Sequence, residues 1–262
     1  MTATPPLDVA VASRSELGQR KSNEDNVRVC RDGDRWVAIV ADGAGGHRGG
    51  AEASQRAVHA LESALCAGSA AFDADALTAG VLAAHADVFS AAQRNVHGAA
   101  RMHSTVVVLW IDLQSASALW SHVGDSRLYR VRDGVAMLLT SDDSVVQRMV
   151  EAGLMSEEQA IAHPQKNQLL AALGIEDDVE PHTASATLRD GDAFLLCSDG
   201  WWDALDAQSI ADDLVLGDSP DDWLDAMQRR IESRAAPRQD NFSAIAVCLR
   251  DGGDSTRPMA IG

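Results

Sequence analysis

After the apolar run WVAIVA (36–41) the chain shows no convincing strand signal until Ser104. Two helix-like stretches, 50–66 and 75–95, fill the gap, and a block of strand-like runs follows: STVVVLWID, SALWSHVG, RLYRV and VAMLLT. More helical sequence comes next (142–153), then AFLLC, helices over 206–216 and 220–234, and a last run, FSAIAVCL; VRVC precedes the whole series. A parallel sheet needs strands and helices in regular alternation, and this order lacks it. The pattern predicts an α+β fold with antiparallel sheets. Asp133-Gly134 between two strand runs predicts a hairpin, because that turn needs positive φ. Ala53, Ala57, Leu61 and Leu65 recur on one helical face, and Ser219 or Asp221 is placed to cap the last helix, with Pro220 in its first turn. No linker, internal repeat or low-complexity block divides residues 1–262, so a single domain is expected, with a core over about 14–250 and loose ends.

Four aspartates share one property. Asp42 closes WVAIVA, Asp125 follows SALWSHVG, Asp199 follows AFLLCS, and Asp240 precedes NFSAIAVCL; each has Gly or Asn beside it. A strand end places its side chain at the rim of a sheet, where clustered carboxylates repel unless a cation neutralises them. Hard divalent ions such as Mg²⁺ and Mn²⁺ take oxygen ligands, and a neighbouring glycine lets backbone or water approach. Taken one at a time, Asp-Gly pairs are commonly turns; four at strand ends point to a metal centre. Upstream, GQRKSNEDNV sets Arg20 four residues before Glu24-Asp25. An arginine fork grips phosphate bidentately, and the two acids suit metal-bound waters.

The glycine-rich stretch DGAGGHRGG also invites a dinucleotide reading. Its G-x-G-x-x-x-G spacing, the missing strand after the helix and the missing acidic residue of a second strand all argue against it. RDGDRW is too short for a calcium-binding EF-hand loop. A net charge of −17 excludes the basic face of a nucleic-acid binder and disfavours an anionic membrane. The N-terminus has no signal-peptide pattern and no apolar run reaches a membrane span, so the chain reads as cytoplasmic. Cys30, Cys66, Cys197 and Cys248 form no C-x-x-C pair and are expected as buried free thiols. His59, His85, His97 and His122 show no paired ligand spacing along the sequence and read as surface or core histidines.

Seven stretches in order, RKSNEDN, VADGAGGHRGG, HSTVVVL, VGDSRLYRVRDG, LTSDDSVVQRMVEAG, CSDGWWDAL and RQDNFSAIAV, resemble the motifs of the bacterial metal-dependent Ser/Thr protein phosphatases of the PPM, or 2C, type. The resemblance runs from about residue 14 to 249. It implies two packed, mostly antiparallel sheets flanked by helices on both outer faces, a four-layer αββα sandwich. It further implies a binuclear Mn²⁺ or Mg²⁺ centre. Asp42 would bridge two ions, the Gly43 carbonyl would ligate one, and Asp199 and Asp240 would complete that shell. Glu24 and Asp25 would help hold the second ion through water, and Asp125 with Asp199 would hold a third. Arg20 would bind the substrate phosphate. Asn241, Ser126 and Arg127 would support the site, Thr105 would be structural, and residues 145–173 would form a variable flap. Trp201 and Trp202 are expected to pack behind the metal loop.

The implied substrates are phosphoserine and phosphothreonine proteins opposed to a bacterial Ser/Thr kinase. The flap loosely resembles phosphatases linked to type VI secretion, and a monomer is the default. Three positions depart from the pattern: Ala44 stands where many eukaryotic relatives have His, His103 where Gly is usual, and Asp143 replaces the His of Asp-His-Ser. His47 is given no acid role. The competing reading keeps the fold and removes the chemistry, leaving a phosphoprotein-binding regulatory domain; Asp42, Asp199 and Asp240, all present, weigh against it.

Overall fold

The computed structural model describes residues 7–45, 49–67, 70–94, 102–175, 178–234 and 239–252; His47 and His97 lie outside them. In chain order the elements are β1 (Leu7–Glu16), β2 (Asp25–Asp32), β3 (Arg35–Ala44), α1 (Gly49–Leu65), α2 (Ala74–Arg94), β4 (His103–Ser104), β5 (Val106–Asp112), β6 (Ser117–Val123), β7 (Arg127–Arg132) and β8 (Val135–Leu138). Then come α3 (Val145–Glu151), α4 (Glu157–Ile161), β9 (His182–Thr187), β10 (Ala193–Cys197), α5 (Asp199–Trp202), α6 (Ala207–Leu216), α7 (Pro220–Ser233) and β11 (Phe242–Asp251). One sheet runs β1-β11-β10-β7-β8 and the other β2-β3-β5-β6-β9, with β4 beside β3. The named strand pairs in both sheets are antiparallel.

Side chains alternate along each strand, and this splits the core into three apolar layers. Val40, Leu109, Phe194 and Ile245 fill the space between the sheets. Ile39, Val108 and Trp110 face Leu61, Leu77 and their neighbours on α1 and α2. On the other outer face Leu195, Ala244 and Ala246 meet Trp223, Met227 and Ile231 of α7, together with α6. The result is the αββα sandwich. The helical face predicted for α1 is buried at Ala53, Ala57, Leu61 and Leu65. Ser219 caps α7 by accepting the Asp222 N–H, with Pro220 in the first turn, and the Asp133-Gly134 hairpin has φ of 52° and 73°.

Three expectations are corrected. A strand, β1, already begins at Leu7 and pairs along its full length with β11, at the edge of its sheet. Cys30 and Cys66 are joined in a disulfide with Cα atoms 6.4 Å apart, which ties β2 to the end of α1; only Cys197 and Cys248 are buried free thiols. The helix expected over 142–153 begins at Val145, because Ser144 stays extended and accepts the Gln147 N–H as its cap.

Candidate metal centre

The antiparallel order brings the end of β3, the start of β2, the end of β6, the end of β10 and the start of β11 to one rim of the sandwich. Asp25 sits directly opposite Asp42 in the β2–β3 register. β3 continues past Asp42, because Gly43 and Ala44 pair with Ser104 and His103. The Asp42 backbone is held on both sides: its N–H donates to Thr105 Oγ1 at 3.1 Å, and its carbonyl accepts the Thr105 N–H at 2.8 Å and Ser104 Oγ at 3.0 Å. Thr105 Oγ1 in turn lies 2.7 Å from Ser126 Oγ, which ties Asp42 to the turn that carries Asp125.

The glycines serve close approach rather than turn geometry. A Cβ on Gly43 would stand 2.1 Å from the Gly50 carbonyl oxygen, and one on Gly200 would stand 2.0 Å from that of Asn241. Only a residue without a side chain lets the Asp199-Gly200 turn pack against Asp240-Asn241 this tightly. The Asp-Gly pairs at 42–43 and 199–200 are therefore packing devices.

Asp25, Asp42, Asp125 and Asp199 converge in one cluster, with Asp25 and Asp125 buried and Asp42 and Asp199 half-buried. Burial, followed by the charges of Asp25, Asp199, Asp125 and Asp240, drives the Asp42 carboxyl well above the usual range. Burial and then Asp240 and Asp25 push Asp199 up to about 7. Asp25 rises to about 6, chiefly through burial, although Ser198 donates to its Oδ2 at 2.8 Å. Asp125 is raised by burial and by Asp199. Asp25 Oδ1 and Asp199 Oδ1 are buried without a hydrogen-bond partner. Orphaned carboxylate oxygens in a mutually repelling cluster are costly without a cation. An all-oxygen donor set of this kind fits Mg²⁺ or Mn²⁺, so the residues present suit the expected metal.

The remaining candidates surround this cluster. The Glu24 N–H donates to Asn241 Oδ1 at 2.9 Å, and its carbonyl accepts the Gly43 N–H at 3.1 Å, which sets Glu24 at the rim. Trp202 Nε1 donates to the Asp125 carbonyl at 2.9 Å, the Arg127 guanidinium lies 3.6 Å from the Trp202 ring centre, and Trp201 is fully buried behind. Arg20 pairs with Asp240, with its side chain 56% exposed. It borders an open cleft of about 430 Å³ that Asp199, Asp240, Asp203 and Asn167 also line.

Sequence reasoning missed two participants. Ser198 gives its hydroxyl to Asp25, and Asn167 Nδ2 donates to Asp199 Oδ2 at 3.3 Å. Lys166 beside it pairs with Asp203. The HPQKN stretch therefore reaches across to the carboxylates; its polar composition alone could not distinguish this from a solvated turn.

The family model for Protein phosphatase 2C matches residues 13–244. The chain is 36% identical over 195 residues to the serine/threonine phosphatase stp of Listeria monocytogenes serotype 4b, covering 71% of this chain and 75% of the relative. Among solved structures it resembles the catalytic domain of the serine/threonine protein phosphatase PstP in complex with two manganese ions, at TM-score 0.78 and 30% identity over 94% of this chain and all of the other. It also resembles PppA, a key regulatory component of T6SS in Pseudomonas aeruginosa, at TM-score 0.74 and 30% identity over 91% and 96% of the two chains.

Proposed function

The chain belongs to the protein phosphatase 2C family, and from that premise we propose how its residues carry out metal-dependent hydrolysis of protein phosphoserine and phosphothreonine. The observation that carries the reading is the cluster of aspartates with buried, orphaned oxygens beside an open cleft that holds an arginine. Asp42, the Gly43 carbonyl, Asp199, Asp240, Glu24 and Asp25 are the residues that would hold two Mn²⁺ or Mg²⁺ ions, through their oxygens. Asp125 and Asp199 would hold a third ion. Divalent ions held there supply Lewis acidity toward phosphoryl oxygens and a water of lowered pKa.

The chain itself does the rest. Thr105 and Ser104 fix the Asp42 backbone, so the central carboxylate needs no reorganisation. Arg20 exchanges Asp240 for the substrate phosphoryl group and neutralises its oxygens. Ala44 has no proton to give, so the leaving alkoxide takes its proton from solvent or another group. The four cysteines have no catalytic part: burial raises the thiol of Cys248 to about 12 and that of Cys197 higher still, and Cys30 and Cys66 are bonded to each other.

Residues 1–262 act as one phosphatase domain, and residues 145–173 act as its flap. Its substrates are cytoplasmic phosphoproteins made by a bacterial Ser/Thr kinase. The likeness to PppA supports a type VI secretion setting. Among the described residues no helix is long and apolar enough to cross a membrane.

The test is phosphate release from p-nitrophenyl phosphate and from a phosphothreonine peptide, by metal-free protein, by protein with Mn²⁺, and by Asp199→Asn with Mn²⁺. Activity should require Mn²⁺ and fall by about 100-fold or more in the variant. A folded, Mn²⁺-loaded wild-type chain that releases no phosphate would favour the phosphoprotein-binding reading instead.

A further inference from the structure

Beside the turn that leads into Asp125, three residues distant in sequence meet. His122 on β6 and His182 on β9 are direct partners across an antiparallel pair, so their side chains share a face. That face also carries Ala118 and Trp120 of the layer between the sheets. Asp143, from the segment before α3, joins them, and the three residues each offer a ligand atom within 4.8 Å of the others.

The hydrogen bonds decide what His122 can do. Its Nε2 lies 2.8 Å from the Ser141 carbonyl. A carbonyl only accepts, so Nε2 must carry the proton. Burial lowers the pKa of this imidazole and keeps it neutral. Nδ1 then bears a lone pair, and that atom is buried without a hydrogen-bond partner on a residue only 4% exposed. An imidazole that anchors one N–H on a backbone carbonyl and presents the other nitrogen bare is arranged as a metal-ligating histidine is.

Asp143 is also preset. Its Oδ2 accepts the Gly124 N–H at 2.8 Å, and its own N–H donates to the Gly124 carbonyl at 3.0 Å. Oδ1 is left facing His182 Nε2 at 2.9 Å. A surface ion pair between Asp143 and His182 would explain that contact but not the bare nitrogen of His122.

We propose that His122, Asp143 and His182 form a binding site for one divalent transition-metal ion of the zinc type. Two imidazoles and one carboxylate are a three-ligand set that Zn²⁺ accepts, with water in the fourth position. The His182 side chain is 49% exposed and gives the ion a way in from solvent. Mg²⁺, which seeks oxygen donors, does not compete for such a site. Because Asp143 grips Gly124, the bound ion also steadies the turn that leads into Asp125.

The test counts zinc, not activity, so it is independent of the phosphatase reading. Full-length protein is equilibrated with Zn²⁺ under excess Mg²⁺, dialysed against Mg²⁺, and analysed for metal. Wild type and Asp42→Asn should each retain about one zinc that His182→Asn loses. His182 is half-exposed, so its replacement should leave folding intact, and a thermal melt checks this. Equal zinc in wild type and His182→Asn would overturn the proposal, and so would zinc that disappears with Asp42→Asn while surviving His182→Asn.

Discussion

Asp199 and Asp25 keep their protons up to about pH 7 and about pH 6 in the metal-free protein, through burial first and neighbouring aspartates next. An unfolded aspartate titrates near 3.9, so the folded state binds the proton more tightly. Without a cation, the contribution of these two carboxyls to stability is therefore fullest in acid and falls as the pH climbs from about 4 toward 7. In chelator, the thermal midpoint should be lower at pH 8 than at pH 5, and Mn²⁺ should raise it more at pH 8. Asp199→Asn should flatten the chelator slope; a slope identical to wild type would mean this cluster does not set it. Steric demand gives a second test. Gly200→Ala drives a Cβ into the Asn241 carbonyl and should cost about 1–3 kcal/mol in a urea titration. At this scale the aspartates were legible because each stands at a strand end beside Gly or Asn. His122 and His182 were not, because their pairing is a cross-strand register that linear spacing does not display.

Helix ends were read more securely than edge strands. Asp206 caps α6 by accepting the Ser209 N–H at 2.7 Å, and that bond lowers its pKa. Its contribution is present above the ordinary aspartate pKa and is lost as the pH falls through the lowered one. Asp206→Ala should cost about 1 kcal/mol at neutral pH, and the difference from wild type should vanish in strong acid. A difference that persists in acid would assign the effect to packing. β9, HTASAT, was missed for a physical reason: it is an edge strand built of small and polar residues whose only named partner is β6, so no apolar pattern marks it. The disulfide was hidden similarly, since Cys30 and Cys66 meet only once α1 lies against β2.

For the whole molecule, the absence of strand–helix alternation was enough to predict α+β and antiparallel sheets. That β1 would lie beside β11, joining the two ends of the chain, depends on tertiary pairing. The same holds for the contact that ties the two sheets at the end remote from the aspartates. Arg132, the last residue of β7, donates Nε and Nη2 to the two oxygens of Asp192, both at 2.6 Å. The same Nη2 reaches the Thr187 carbonyl of β9, in the opposite sheet, at 3.0 Å. The Asp192 side chain is fully buried and that of Arg132 is 17% exposed. Removing the cation would leave a buried carboxylate without its counter-charge, the costly way to break such a pair. Arg132→Met should therefore lower urea stability by about 3 kcal/mol. Arg132→Met combined with Asp192→Leu should recover part of that loss, because the stranded charge is gone. β7 begins at the rim that holds the aspartates and ends at Arg132, so kcat/KM of the folded variant should match wild type. A loss below about 1 kcal/mol would mean that water screens Asp192 as it does an exposed ion pair. A full loss with kcat/KM unchanged would show that the sandwich is clamped at one end and does its chemistry at the other.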